Sequence, residues 1–409
     1  MLLTRRGTER TVRTELRLTS DRVYHLGDRL RVADGATLTI EAGTLIKAFR
    51  QAAAIVVEPG GRIEVRGRRE APVVMTCSAP VGQRFAGCWG GLAVRGVGAS
   101  SGELRYLRVE FAGGGMELAG ASAALAFEGV GDGTVIEHVQ THASLGDGLA
   151  FRGGTAHCSH CVASDAQRDS VFWSEGWQGS AQHLYVQQGA QGASALRGRA
   201  GVEEPPSPGP EFRNATLLGG YNFGVLGGAP GKLRSIGPGI VLEGQAAIRA
   251  RNVLATGFGG FAVDGWAASF SDGRSRIAGM LLSLSGYSQS TRVPGALEPW
   301  VQYTRANPDL IDVRHAANPD PRPRNGSAAL KLGTAVASPF DIRFARTEDY
   351  TGAFGKRNWL EEWTFFGPEE DFQLPAQDVS SQSGAGEFPE APLAGAASDS
   401  GELPEASGP

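Results

Sequence analysis

Strand-like segments that recur slightly more than 20 residues apart constrain the fold of this chain more than any other feature. The segment GDGLAFRGGT (146–155) is echoed by RDSVFWSEGW (168–177), which places Asp147 and Asp169 22 positions apart. Apolar residues in both segments alternate with polar or small ones, and glycines lie at their ends, as is typical of short β-strands. A fixed period of this length indicates a repeat architecture.

Further strand-like segments precede each of these two repeats, VIEHVQTHAS (135–144) before the first and AHCSHCVASD (156–165) before the second. Parallel strands usually need a helical crossover, and this spacing leaves no room for one. The sequence therefore predicts an all-β, right-handed parallel β-helix whose turns stack about 4.8 Å apart. A flat β-sandwich is the alternative, but it favours Asn-Gly or Asp-Gly hairpins, which are few here.

Composition along the chain predicts four regions. Residues 1–30 are expected to form an N-terminal segment and cap, because the first turn of a coil otherwise leaves an open edge. Residues 31–285 are predicted to form the coil, and residues 286–367 a Pro-, Asn- and Asp-rich long loop with an aromatic C-terminal cap. Residues 368–409 are acidic and rich in Pro, Ala, Ser and Gly, which predicts a disordered tail.

Charge and hydropathy exclude several classes of partner. The chain has 39 Lys and Arg against 43 Asp and Glu, and nine of the acids lie in 369–409. The remaining body carries 39 − 34 = +5, which is too weakly basic to indicate nucleic-acid binding. The sequence contains no run of 18 apolar residues, so no transmembrane segment is predicted. The first residues lack an apolar h-region, so no signal peptide is expected within this chain.

The four cysteines form two pairs in sequence. Cys77 and Cys88 bracket a loop with glycine and proline and are a candidate disulfide if the protein is exported. Cys158 and Cys161 form a C-x-x-C, and strand alternation places them on opposite faces unless a turn intervenes. We expect these two to fill apolar core positions as free thiols rather than to bind a metal.

The chain also resembles a family of exported bacterial β-helix proteins, many of them predicted lipoproteins. The resemblance covers about residues 30 to 367, and the matching segments are LTIEAGTLIKA, CWGGL, LRYLRVEFAG, VGDGTVIEHVQTHASLGDGLAFRGGT, RDSVFWSEGWQGSAQHLYVQQ and YTGAFGKRNWLEEW. It implies a right-handed β-helix in the envelope or outside the cell. It implies no particular reaction.

The chain departs from the family pattern at outward positions. Alternation directs four large residues into the coil: Leu149, Phe151, Val171 and Trp173. It directs four others outward, where the family pattern is rich in acids: Ala150, Arg152, Phe172 and Ser174. Calcium binding or acid-based chemistry along this stripe is therefore weakened, because hard cations prefer several oxygen ligands.

Acidic residues supply the best candidate for catalysis. Asp147 and Asp169 are expected on neighbouring turns of the coil, with Glu175, Arg152 and Arg168 nearby. Paired carboxylates can act as acid and base on a glycan, or can hold calcium. The alternative is that each aspartate opens a tight turn and accepts backbone hydrogen bonds.

Aromatic and histidine side chains are the remaining candidates. Phe172 and Trp177 are expected to be more exposed than Trp173, and an exposed ring can stack on a sugar. His138 and His160 are 22 residues apart and can stack as a ladder. A histidine column can bind metal, although half-exposed strand positions are the ordinary interpretation.

The sequence thus favours a non-catalytic envelope or surface protein that serves as a scaffold for a polysaccharide or a surface protein. The alternative is a polysaccharide lyase or glycoside hydrolase that uses Asp147, Asp169 and Glu175. No cofactor is expected, other than a possible calcium ion.

Overall fold

The structure is a computed structural model, and it describes residues 1–98, 101–115, 122–189, 191–201, 206–220, 237–258, 261–265, 267–283, 293–313, 318–333 and 348–367. All of these lie in one compact unit, Met1–Phe372. The predicted acidic tail, 368–409, lies outside the described residues.

The regular elements of the described residues are almost entirely β-strands. In chain order these are β1 (Leu2–Thr4), β2 (Arg10–Val12), β3 (Glu15–Leu18), β4 (Val23–Leu26), β5 (Leu30–Val32), β6 (Thr37–Glu41), β7 (Leu45–Ala48), β8 (Ala54–Val57), β9 (Arg62–Arg66), β10 (Val73–Cys77), β11 (Gly91–Arg95), β12 (Gly102–Glu110), β13 (Ala123–Glu128), β14 (Val135–His142), β15 (Asp147–Arg152), β16 (His157–Ser164), β17 (Asp169–Ser174), β18 (Ser180–Gln187), β19 (Ser194–Ala200), β20 (Glu211–Leu218), β21 (Ile240–Gly244), β22 (Arg249–Thr256), β23 (Val263–Gly265), β24 (Arg276–Leu282), β25 (Val301–Arg305), β26 (Leu310–Asp312) and β27 (Asp320–Pro323). One short helix, α1 (Ala267–Ser271), and two 3-10 helices, Gly295–Leu297 and Ala328–Leu330, complete the described elements.

The strands form two large parallel sheets. The long sheet has 15 strands and runs β1-β4-β7-β10-β12-β14-β16-β18-β20-β22-β24-β25, with β3, β6 and β9 joined beside β12. The short sheet has ten strands and runs β2-β5-β8-β11-β13-β15-β17-β19-β21-β23. Each strand pairs with strands one turn of the coil before and after it, which confirms the predicted parallel β-helix.

From β12 onward, each turn of the coil uses one bent strand of the long sheet and one strand of the short sheet. The first half of β12 pairs with β9 and its second half with β10, and Tyr106 lies between them with φ 47°. Positive φ recurs at the corresponding bend of the following strands, at His138, His160, His183, Asn214 and Asn252. Non-glycine residues seldom adopt this left-handed conformation, so its repetition marks a built-in corner.

Apolar side chains fill the interior of the coil in register. Phe151 pairs with Trp173 across β15 and β17, 22 residues apart as the sequence predicts, and both side chains are buried. The Phe151 ring also stacks on Phe127 of the preceding turn, with 5.2 Å between centroids. Burial of one such column per strand supplies the hydrophobic stabilisation of the coil.

The two ends of the coil are joined to the sheets in different ways. Within residues 1–30, strands β1 to β4 take part in the two sheets, and β5 begins at Leu30. The aromatic segment 348–367, here called the cover segment, packs against the outer face of the long sheet rather than over the last turn. Its Phe365 backbone accepts from the Gln140 amide at 2.6 Å and donates to it at 2.8 Å.

Both cysteine pairs are disulfides. Cys77 and Cys88 are joined, with their Cα atoms 5.8 Å apart. Cys158 and Cys161 are also joined, with a Cα separation of 6.3 Å, so the expectation of free thiols does not hold. The physical reason is the bend at His160, whose φ of 53° breaks strand alternation and brings both cysteines to the inner face.

Candidate functional site

Asp147 and Asp169 lie on neighbouring turns of the coil, but both carboxyl groups are buried. Asp147 begins β15, and its Oδ1 accepts the backbone N–H of Asp169 at 3.3 Å. Asp169 begins β17, and its Oδ1 accepts from Ser194 Oγ at 2.5 Å and Arg197 Nε at 2.9 Å. The two aspartates therefore join successive strand starts by hydrogen bonds, Asp147 through a backbone N–H and Asp169 through side chains.

The other predicted partners do not complete a catalytic group. Glu175 is exposed and follows the far end of β17, about 20 Å along the strand from Asp169 at 3.3 Å per residue. Arg168 places its Nε 3.6 Å from Asp147 Oδ1. Arg152 is buried, with its guanidinium 5.4 Å from the Phe172 ring centre. The three carboxyl groups thus do not converge on one exposed face.

The surroundings of Asp147 alter its protonation. Burial raises the pKa of its carboxyl group to about 6, and Arg168 acts in the opposite direction. Asp147 Oδ2 has no hydrogen-bond partner within the described part of the chain. Because the side chain is fully buried, this unusual carboxyl group cannot contact a polysaccharide at the surface.

Phe172 and Trp177 are buried, contrary to the expectation that they are exposed. Trp177 is 0% exposed, stacks on Phe151 with 4.2 Å between centroids, and donates its Nε1–H to the Ala156 carbonyl at 3.1 Å. Phe172 points outward, as alternation predicts, but is only 3% exposed and clusters with Ala150 on the short sheet. Neither ring presents a face for a sugar.

A column of stacked rings runs along the corner of the long sheet. It consists of Tyr106, His138, His160 and His183, here called the ring column, and successive centroids are 4.3, 4.7 and 4.6 Å apart. The predicted stacking of His138 and His160 is therefore confirmed. The left-handed bend repeats at one position per turn, and this repetition places the rings above one another. His142 and His157 lie outside the column, where each contacts a serine hydroxyl.

All three histidines of the ring column are neutral at pH 7. Burial lowers the pKa of His138 and His183 to about 4 and that of His160 to about 2. Arg69 and Arg105 further lower the pKa of His138 through their positive charge. Each ring of the column therefore keeps one N–H and offers the lone pair of its other nitrogen.

The cover segment and the ring column together enclose a cavity of about 670 Å³, here called the basic pocket. Trp359 packs edge-on against His160, with 5.1 Å between centroids. The cavity is within the size range of ligand sites. Its lining combines the three histidines with Arg69, Arg322, Glu348, Tyr350, Gly355, Lys356, Arg357, Asn358, Trp359 and Glu361.

The pocket has an excess of positive charge. Four Arg and Lys residues face two Glu residues, and the histidines are neutral. Several outward arginines elsewhere on the coil are paired, as Arg95 is with Glu58 and Glu128 at 3.1 Å each. By contrast, Arg69, Lys356 and Arg357 form no ion pair with any residue that the structure describes.

Sequence reasoning did not find this pocket, because its parts are distant along the chain. Arg69 follows β9, while Lys356 and Arg357 lie almost 290 positions later. Two features of the sequence belong to this pocket, namely the 22-residue spacing of His138 and His160 and the adjacent Lys356 and Arg357. No periodic pattern, however, places the cover segment beside the histidines.

No helix within the described ranges is long and apolar enough to cross a membrane.

Comparisons with known proteins agree with this fold. No curated protein and no solved structure matches the chain. A sequence model of the family described as "Pectate-lyase like beta helix domain" matches residues 10–100 and 97–264, which is more than half of the 409 residues. The chain therefore belongs to the pectate-lyase-like beta helix domain family.

Proposed function

We propose that this protein is a non-catalytic β-helix protein of the cell envelope or extracellular space, and that it binds an anionic polysaccharide in the basic pocket. The observation that carries the proposal is the group of unpaired cations, Arg69, Lys356 and Arg357, beside the neutral ring column. An arginine guanidinium binds a carboxylate through two parallel hydrogen bonds. A glycan rich in uronic acids presents such carboxylates at regular intervals.

The long sheet supports a polymeric ligand in particular. Outward charges along this sheet compensate one another, as in the pairing of Arg66 with Glu64 and of Arg105 with Glu103 and Glu137. In the basic pocket, by contrast, three cations lie close together without an acidic partner among the described residues. A polyanion would supply that partner.

The alternative, a lyase or glycosidase that uses the stacked acids, receives less support. Asp147 and Asp169 are buried in hydrogen bonds between strand starts, and Glu175 lies at the other end of its strand. Glycosidases hold their two carboxyl groups about 5 to 9.5 Å apart across an accessible sugar. A calcium ion also needs several oxygen ligands that converge on one point.

The two disulfides support an exported location. Disulfides persist in oxidising compartments and are rare in the cytosol. Fractionation of the source cells, followed by immunodetection, tests this part of the proposal. We expect the protein in the envelope or the medium, and a purely cytosolic signal would contradict it.

Isothermal titration with polygalacturonate, alginate and neutral dextran tests the ligand. We expect binding of the acidic polymers alone, with affinity that falls as salt rises. The double variant Lys356→Ala/Arg357→Ala should bind at least tenfold more weakly. The matched control, Arg5→Ala/Arg6→Ala, removes two adjacent exposed cations far along the chain and should bind like the unaltered protein.

Two results would overturn the proposal. Equal binding of dextran, or unchanged binding by Lys356→Ala/Arg357→Ala, would show that the basic pocket is not the site. Release of unsaturated products or new reducing ends from any of the polymers would show that the protein is an enzyme.

A further inference from the structure

We propose that Glu137, His138 and His160 form a binding site for a divalent transition-metal ion of the zinc, nickel or copper class. The site lies where the ring column meets the outward charges of the long sheet. One ligand atom from each of the three residues lies within 4.8 Å of the other two. The proposal is independent of the glycan, because none of the three is among the cations invoked above.

One ion can reach all three ligand atoms after a limited rearrangement. The His138 and His160 rings are stacked 6° from parallel, so one ring has to tilt toward the other. Zinc binds histidine nitrogen and carboxylate oxygen at about 2.0–2.2 Å, which places ligand atoms roughly 3.3 Å apart in a tetrahedral site. The three atoms therefore need to approach one another by at most about 1.5 Å. Glu137 can supply much of this movement, because 34% of its side chain is exposed. His138 and His160 also line the basic pocket.

An unsatisfied buried nitrogen points to the same ion. His138 is 9% exposed, and its Nδ1 has no hydrogen-bond partner among the described residues. The nearest acid, Glu137, places Oε1 3.7 Å from this nitrogen, which is too far for a hydrogen bond. A buried polar atom left in this state is costly, and coordination would satisfy both atoms at once.

His160 has the support that metal-bound histidines usually have. Its Nδ1 lies 2.8 Å from the Ser159 hydroxyl. Donation of Nδ1–H to this oxygen fixes the tautomer and leaves the Nε2 lone pair free to coordinate.

The surrounding charges determine which ions are suitable. Arg69 and Arg105 are the cations that act on His138, and Arg105 is itself paired with Glu103 and Glu137. Positive neighbours disfavour calcium and magnesium, which bind mainly through charge and oxygen ligands. Ions that prefer imidazole, such as copper, nickel and zinc, are the ones expected here.

The fold provides substitutions that respect the backbone. Asn214 and Asn252 occupy the same corner on later turns, with φ of 49° and 55°. Asparagine tolerates the left-handed region better than other non-glycine residues. His138→Asn and His160→Asn therefore remove the ligand while keeping a residue that this corner already accepts. Glu137→Gln removes the third ligand at a partly exposed position.

Titration of zinc into the untagged full chain, stripped with EDTA, tests the site, with the visible absorption of bound cobalt as a second readout. We expect one ion per chain. Affinity should fall at least tenfold in Glu137→Gln, and binding should be lost in His138→Asn/His160→Asn. Circular dichroism verifies that each variant is folded.

Two controls keep the test specific. Glu103→Gln removes a neighbouring acid that also pairs with Arg105, and His183→Asn removes a histidine of the ring column outside the proposed ligand set. Both should bind zinc like the unaltered chain. The proposal is overturned if zinc, nickel and copper all fail to bind. It is equally overturned if His138→Asn/His160→Asn binds undiminished, or if the controls lose binding as strongly as the ligand variants. None of these outcomes depends on whether the pocket binds a glycan.

Discussion

Replacement of Asp147 by asparagine should stabilise the protein at neutral pH. The native pKa of Asp147 is about 6 against an ordinary value of 3.8, because burial disfavours the charged form. The folded state therefore binds this proton more tightly than the unfolded state does. The contribution of Asp147 to stability is greatest below about pH 4, decreases as pH rises through the window from about 4 to 6, and is lost above it.

The magnitude follows from the shift of the pKa. A difference of about 2.2 units at 1.36 kcal/mol per unit corresponds to about 3 kcal/mol above pH 6. Asparagine keeps the Oδ1 acceptor for the Asp169 N–H but loses the ion pair with Arg168. The pKa of about 6 already includes the attraction of Arg168, so this ion pair is not subtracted again. We therefore expect Asp147→Asn to raise the free energy of unfolding by about 3 kcal/mol at pH 7.5 and to leave it nearly unchanged at pH 4.

Reversible guanidinium denaturation at pH 4 and pH 7.5, followed by tryptophan fluorescence, measures both values. Asp165 also has a pKa raised by burial, but it titrates in both proteins, so the difference between them isolates Asp147. Asp169→Asn is the matched control. It removes a charged acceptor from Arg197 and Ser194 and should lower the free energy of unfolding by about 1.5–3 kcal/mol. Destabilisation of similar size by Asp147→Asn at pH 7.5 would refute the reasoning.

Three further predictions concern the disulfides and two buried rings. A thiol reagent should detect no free thiol in the unreduced, denatured protein and four thiols after reduction. The double variant Cys77→Ser/Cys88→Ser should lower the free energy of unfolding by about 2–3 kcal/mol. Trp177→Ala should lower the free energy of unfolding by about 3–5 kcal/mol without weakening glycan binding, because Trp177 is buried in the core. Weaker glycan binding at unchanged stability would contradict this position. Trp363→Ala, which removes a buried ring in edge contact with His138, should speed amide exchange in β14, and unchanged exchange would contradict the role of the cover segment.

The sequence predicted the coil and its register because both depend on local, repeated patterns. The 22-residue echo placed Phe151 opposite Trp173, and the structure pairs these residues. A turn that repeats its apolar positions leaves few other ways to bury them. The same pattern correctly directed Trp173 inward and stacked His138 on His160.

The errors arose where alternation is interrupted or where contacts are distant. The bend at His160 has no glycine to signal it, so Cys158 and Cys161 were expected on opposite faces. Gln140 and Phe365, which join the cover segment to the coil, are 225 residues apart, and no period reports such a contact. Phe172 was correctly directed outward, but alternation alone does not show that an outer face is covered.

Two neighbouring turns of the coil, β14–β15 and β16–β17, are offset by 22 residues, and this offset defines a segment that could be duplicated. Residues of β14 and β15 pair with those of β16 and β17 at a constant offset, as in Val135 with His157 and Leu149 with Val171. A second copy of this 22-residue unit, inserted between them, would meet the same strand register on both sides. It would lengthen the coil by about 4.8 Å and add one histidine to the column. The length of the protein can therefore change by copying a segment, without any change of fold.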